Sequence, residues 1–275
     1  MQGNKSTLLH FVQLADLDGD GSDEIYFSAT TPYFGGGSSE TYEEGTIYRA
    51  TFPTALGDIK LDDVGLERPA FVRRLGEFKD ASGKPSLISL YEGTLDASGK
   101  TIVPIRVVRQ KYSEGKLQTK VALTLDGHKE CKGIAFYKVS NRPTFQIGCD
   151  NGILYFVGEK PGSDDFEIVA KYDLSGGLSE EYLKKRSTFR SQDLTSIHTI
   201  SGKDVDGDGT DELLLGINNL GIVLLDPDTG KTKKIPYRFG HERVYERDEW
   251  FVIEDISPTI GKGFFTDGEF FDFKR

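Results

Sequence analysis

An all-β, repetitive fold of propeller or partial-propeller type is what this 275-residue sequence predicts. Three observations predict it: an aromatic-rich composition, short apolar runs separated by turn residues, and internal repetition with a period of about 60 residues. The chain carries 18 Phe and 12 Tyr against one Met and one Trp. That balance suits pleated, half-buried strands better than helix bundles. At this length it forms either one large β domain or two of ordinary size, and it is read here as a single repetitive domain over 1–275.

The strand runs are LLHFVQL, EIYFSA, TIYRATF, SLISLYEG, TIVPIRVV, GIAFYKV, TFQIG, GILYFVG, ELLLGI and GIVLLD, broken by Gly, Asn, Asp and Pro. Ser179 to Arg186 (SEEYLKKR) alone reads as a helix, with a Ser cap, acids in the first turn and bases in the last. Gly35 to Ser39 reads as a flexible hairpin tip.

Two stretches share one grammar of acidic loop, β-rich run, turn and second β-rich run. They are His10 to Ala29 (HFVQLADLDGDGSDEIYFSA) and Ile200 to Asp226 (ISGKDVDGDGTDELLLGINNLGIVLLD). Their first loop aspartates, Asp16 and Asp204, are 204 − 16 = 188 residues apart, or three steps of roughly 63. One step in, Gly83-Lys84-Pro85-Ser86-Leu87 aligns with the tail of the acidic loop, but most carboxylates are gone. Two steps in, GIAFYKVSNRPTFQIGCDNGILYFVG has a shortened turn at Ser140 to Pro143 and the same two-strand ending. The units run roughly over 8–65, 66–121, 122–190 and 191–240, with a degenerate unit at 241–275. Four-stranded units of this size are what propeller blades require, and four or five fit in the chain.

In D-x-D-G-D-G-x-D-E, loop positions one, three and five are Asp16, Asp18 and Asp20 in the first copy and Asp204, Asp206 and Asp208 in the second. A tight turn brings these alternate carboxylates to one side. Calcium is a hard cation wanting six to eight oxygens, and the glycine at position six, Gly21 or Gly209, permits the sharp turn. Position seven offers a backbone carbonyl, from Ser22 or Thr210. Position nine offers a closing carboxylate, from Glu24 or Glu212, while Asp23 and Asp211 add charge or hydrogen-bond the loop. The plain alternative is an ion-free turn, since Asp and Gly are ordinary turn formers. Four carboxylates aimed at one small volume repel one another without a cation, which favours two Ca²⁺ sites. An EF-hand is disfavoured: position twelve is Phe27 or Leu215, and β-rich sequence follows each loop.

At these residues the sequence resembles the FG-GAP repeat family, also called VCBS repeats. The resemblance is specific at the two loops, covering about Leu8 to Ala29 and Ile200 to Asp226, and faint between them. It implies a β-propeller with calcium in a hairpin loop of certain blades, stabilising the blade while other loops bind partners. The departure is Glu, where the family has Asp, at position nine.

The net charge of −10 argues against a nucleic-acid footprint, which needs a clustered basic surface. No apolar stretch reaches the length of a membrane helix, and the opening MQGNKSTLLHFVQL lacks the pattern of a signal peptide. Cys131 and Cys149 are too few for a disulfide scaffold and lack zinc spacing; they flank strand-like runs, so a bridge and two free thiols both remain open. His10, His128, His198 and His241 are scattered and read as structural, and no nucleophile elbow, Walker loop or dinucleotide fingerprint is present. His241 to Asp255 (HERVYERDEWFVIED) reads as an acidic loop over Trp250 and Phe251 in preference to a glycosidase acid and base. The basic groups Lys184 to Arg186 with Arg190, and Lys231 to Lys234, read as solvated turns.

The expectation is therefore a calcium-stabilised, non-catalytic module that binds a protein or glycan, in extracellular, periplasmic or cell-surface surroundings. Two other readings stand beside it: a secreted carbohydrate-active enzyme, and a subunit of a larger surface assembly completed by a neighbour.

Overall fold

The computed structural model describes residues 8–33, 41–51, 59–66, 72–96, 98–128, 130–137, 139, 143–175, 196–204, 208–217, 221–235, 252–257, 261–266 and 269–272. The helix expected at Ser179 to Arg186, the hairpin tip at Gly35 to Ser39, and Asp206 all lie outside them. So do His241 to Phe251 and the basic groups Lys184 to Arg186 and Arg190. Among the described residues the architecture is all-β, with four four-stranded antiparallel sheets, one of three strands and one of two. Among the described residues no helix is long and apolar enough to cross a membrane.

Sheet one is an up-and-down meander of β1 (Leu8–Ala15), β2 (Glu24–Tyr33), β3 (Thr41–Thr51) and β4 (Lys60–Asp63). Sheet two runs through β5 (Val72–Lys79), β6 (Pro85–Tyr91), β9 (Ile105–Ser113) and β10 (Lys116–Leu125). A two-stranded ribbon of β7 (Thr94–Leu95) and β8 (Thr101–Val103) is inserted between β6 and β9. Sheet three is β11 (Cys131–Ala135), β12 (Thr144–Cys149), β13 (Ile153–Glu159) and β14 (Phe166–Asp173). Sheet four is β15 (Ile197–Lys203), β16 (Glu212–Ile217), β17 (Gly221–Leu225) and β18 (Thr232–Ile235). The last sheet is β19 (Val252–Ser257), β20 (Gly261–Thr266) and β21 (Glu269–Asp272).

Burial explains why these runs become strands. The central strands β6, β12, β13 and β16 are buried on both faces, so apolar residues predominate along them without alternation, and the polar Ser86, Ser89, Thr144 and Gln146 are buried with them. Strand β10, at a sheet edge, alternates exposed and partly buried positions instead.

The chain forms two compact units. One comprises Met1–Glu130 with Glu159–Glu167, the other Cys131–Gly158 with Ile168–Arg275. In the first, sheets one and two share a core of Ala15, Leu17, Tyr26, Ile47, Val72, Leu87, Tyr91 and Val108. Side chains such as Ile47 and Leu87 are wholly buried there, each contributing about 1.5–3 kcal/mol. The register places Tyr26 opposite both Gln13 and Arg49, on the face that also carries the core residue Ala15. The neighbouring row, Leu14, Ile25, Ala50 and Leu61, lies on the other face, where Leu14 and Leu61 are exposed.

In the second unit, Leu154 and Phe156 of sheet three pack with Ile197, Leu213, Leu215 and Leu225 of sheet four. Gly148 allows the approach, because a Cβ on it would lie 2.6 Å from Ile197 Cγ2. Cys131 and Cys149 sit directly opposite each other in the β11–β12 register and form a buried disulfide. The two flanking runs are thus adjacent strands.

The bridge closes a short segment of chain, 18 residues in separation, so its reduction removes about 3 kcal/mol of stability. Denaturant unfolding with and without reductant, and of Cys131→Ser/Cys149→Ser, is expected to show equal losses of this size. An unchanged midpoint would contradict it.

Candidate metal centre

Both acidic loops connect the first two strands of a sheet. Loop one is closed by the pair Ala15 and Glu24, loop two by Lys203 and Glu212. Between them lie Asp16 to Asp23 and Asp204 to Asp211. The same closing register gives the two loops the same length and phase.

Loop one folds around its first aspartate. Asp16 Oδ1 accepts the amides of Gly19 at 2.7 Å and Asp20 at 3.1 Å, and Oδ2 accepts that of Gly21 at 3.0 Å. Asp18 Oδ1 accepts the Asp20 amide at 3.3 Å, and Asp20 Oδ1 accepts the Ser22 amide at 2.8 Å. Gly19 and Gly21 make the turn possible with φ of 77° and 89°, in the left-handed region that side chains disfavour. The outcome is convergence: Asp16, Asp18 and Asp20 each offer a carboxylate oxygen within 4.8 Å of the others. Among the described residues this is the one group of three or more acidic, His or Cys side chains so gathered.

These oxygens fit a calcium shell. Ligands at 2.3–2.6 Å from one ion lie no more than about 5 Å apart, so the observed spread is compatible with a common centre. Asp16 Oδ2, with one amide bonded, keeps a lone pair for a cation.

Position nine behaves differently from its neighbours. Glu24 is buried, and its carboxylate meets the Arg49 guanidinium of β3 and the Tyr26 hydroxyl, which donates to Oε2 at 3.2 Å. The same Arg49 Nη2 lies 2.9 Å from Asp18 Oδ2. Burial pushes the Glu24 carboxyl up, Arg49 offsets part of this, and the adjacent Asp18 adds to the rise. For Asp18, burial opposes ionisation, but hydrogen bonding with Glu24, the Asp20 amide and Arg49 outweighs it and holds the carboxyl below its usual value. Tyr26 is pushed strongly upward by burial and by Glu24.

Loop two repeats the frame. Gly209, at φ 92°, donates to Asp204 Oδ2 at 2.9 Å, as Gly21 does to Asp16. Thr210 donates to Asp208 Oδ1 at 2.7 Å, as Ser22 does to Asp20. Glu212 is buried like Glu24. Asp206 lies outside the described residues, so the arrangement there is seen through Asp204, Asp208, Thr210 and Glu212.

The degenerate unit shows what an ordinary aspartate turn looks like in the same chain. Asp80 Oδ1 accepts the Ser82 amide at 2.9 Å, the Ser82 hydroxyl at 2.6 Å and the Lys84 amide at 2.9 Å. The ribbon turn at Asp96 repeats this with Ser98 and Lys100. Both turns are the pentapeptide Asp-Ala-Ser-Gly-Lys, a repeat present in the sequence but absent from the acidic-loop grammar. One carboxylate is enough to turn the chain; loop one gathers three. Arg49 was not recognisable as a site residue, since its only signal is one basic side chain within the strand run TIYRATF.

No protein-family model matches the chain, and no curated protein is found to be similar to it.

The two loops depend on φ values that only glycine adopts easily, with no atom within 4 Å of a Cβ at either position. Gly21→Ala and Gly209→Ala are each expected to lose about 1–2 kcal/mol of stability through backbone strain alone. Equilibrium denaturation measures it, and a neutral substitution would show that the loops are free to take another shape.

Proposed function

We propose that the chain is a calcium-stabilised, non-catalytic interaction module of FG-GAP/VCBS type, a β-propeller or partial propeller whose loop face binds a protein or glycan. The observation that carries this reading is the convergence of Asp16, Asp18 and Asp20 in one hairpin loop, with the same backbone frame at Asp204, Asp208 and Thr210. Successive four-stranded antiparallel meanders support the propeller part of the reading. The exposed Leu14 and Leu61 at the two ends of one cross-strand row support the interaction part, since apolar surface is costly to leave in water.

In loop one the ion would be held by Asp16, Asp18, Asp20 and the Ser22 carbonyl. In loop two it would be held by Asp204, Asp206, Asp208 and the Thr210 carbonyl, with Glu24 and Glu212 as closing carboxylates. Calcium supplies charge neutralisation and a cross-link between the end of one strand and the start of the next. The chain's own residues do the rest: Gly21 and Gly209 turn the backbone, and the buried Glu24 and Glu212 begin β2 and β16.

A ligand bound only by the folded state stabilises it by about 2.7 kcal/mol at a hundredfold excess over Kd. Thermal unfolding is expected to shift upward with calcium and downward with chelator, and Asp18→Ala and Asp206→Ala are each expected to remove part of the shift. Identical melts with calcium and chelator would refute the reading.

A further inference from the structure

The equal loops set sheets one and four in phase, so residues counted from Glu24 and from Glu212 occupy equivalent places. In sheet four, the face carrying Leu213 and Leu215 of β16 also carries Ile197 and Ile200 of β15 and Leu225 of β17. That face is covered by sheet three, sharing a core with Leu154 and Phe156. In sheet one the equivalent face carries Ile25 and Phe27 of β2, Leu9, Val12 and Leu14 of β1, and Tyr48 and Ala50 of β3. Its edges are open: Leu9 and Val12 are each 64% exposed, Leu14 52%, and Leu61 of β4 54%. Resting on the reading of the chain as an interaction module, we infer that this face of sheet one is a self-association surface, and that its occupant is the same face of a second copy of the chain.

Two properties of the face select a second copy. The first is how its rows pair under two-fold symmetry. Sheets packed face to face keep their strands within about 30° of alignment, so a two-fold axis along the strands lays β1 of each copy over β4 of the other. Leu14 then meets Leu61, the larger Ile25 meets the small Ala50, and Phe27 meets Tyr48. Leucines exposed at opposite edges of one sheet thereby bury each other. The second property is charge. The rows from Leu14 to Leu61 and from Val12 to Asp63 hold one charged side chain, Asp63, at the β4 edge. Its Oδ1 accepts the Thr46 hydroxyl at 2.6 Å and the Gly65 amide at 3.0 Å, and the two-fold sets it over Val12 rather than over the other copy's Asp63. Area sets the strength. Four strands about 4.8 Å apart, eight residues long in β1, present roughly 500 Å², and two such faces about 1,000 Å², the lower limit of specific interfaces. The dimer is therefore a weak one that dissociates on dilution.

Sedimentation equilibrium of the full chain in excess calcium, across the micromolar range, tests this. A monomer–dimer equilibrium is expected. Leu14→Lys and Leu61→Asp, at exposed positions that tolerate substitution, are each expected to weaken the dimer roughly tenfold or more, because each buries unpaired charges at the interface. Mixing the two variants is expected to restore a heterodimer, since the introduced ammonium and carboxylate then face each other. Circular dichroism establishes that each variant is folded; if either is not, the milder Leu14→Gln and Leu61→Gln decide. A chain that is monomeric throughout overturns the inference and leaves the module free to bind another partner. A dimer indifferent to both substitutions, or a mixture that stays monomeric, equally overturns it, and none of these results bears on the calcium sites.

Discussion

The sheets here are made of antiparallel strands that mostly reverse direction through short connections, and the backbone amides of each reversal need acceptors. At several of these turns an aspartate carboxylate supplies them. Asp16 gathers three amides, Asp80 and Asp96 two amides and a hydroxyl each, and Asp226 the amides of Asp228 and Thr229 with the Thr229 hydroxyl. The Ser98 and Thr229 hydroxyls, with backbone amides, hold Asp96 and Asp226 below the usual carboxylate value. Because their folded-state pKa is depressed, their contribution is present above the unfolded value of about 3.9 and is lost as pH falls through the folded one. Register follows from these turns, and the buried faces follow from register.

The acidic loops extend that device beyond what turning requires. A single carboxylate suffices at Asp80, whereas Asp16, Asp18 and Asp20 are held within 4.8 Å of one another. Like charges at that separation disfavour the folded loop unless something positive stands among them. In loop one the polypeptide provides part of the answer through Arg49, carried by β3 from 25 residues beyond Glu24. The remaining charge is what a divalent cation would neutralise.

Much of the fold was legible because strand burial leaves a simple mark. Runs such as SLISLY and GILYFVG are central strands buried on both faces, and the β-rich composition carries no competing helical period over them. The acidic loops were legible as spacing, since alternate aspartates and a glycine at position six define the turn locally. The role of Glu24 was not, because its partners come from register: Tyr26 two places on, and Arg49 across the sheet. The inserted β7–β8 ribbon was hidden for the opposite reason, its two- and three-residue strands being too short to show a period. The adjacency of Cys131 and Cys149 likewise became definite only with the pairing of β11 and β12. Local chemistry was readable, and cross-strand chemistry was not.

The central claim is that the gathered carboxylates hold calcium. Equilibrium dialysis of the metal-stripped chain against radiolabelled calcium counts bound ions directly, without relying on a change in stability. The account predicts two ions per chain at saturation, falling to one in Asp16→Ala and one in Asp204→Ala. No bound calcium, or two ions still bound in either variant, would contradict it.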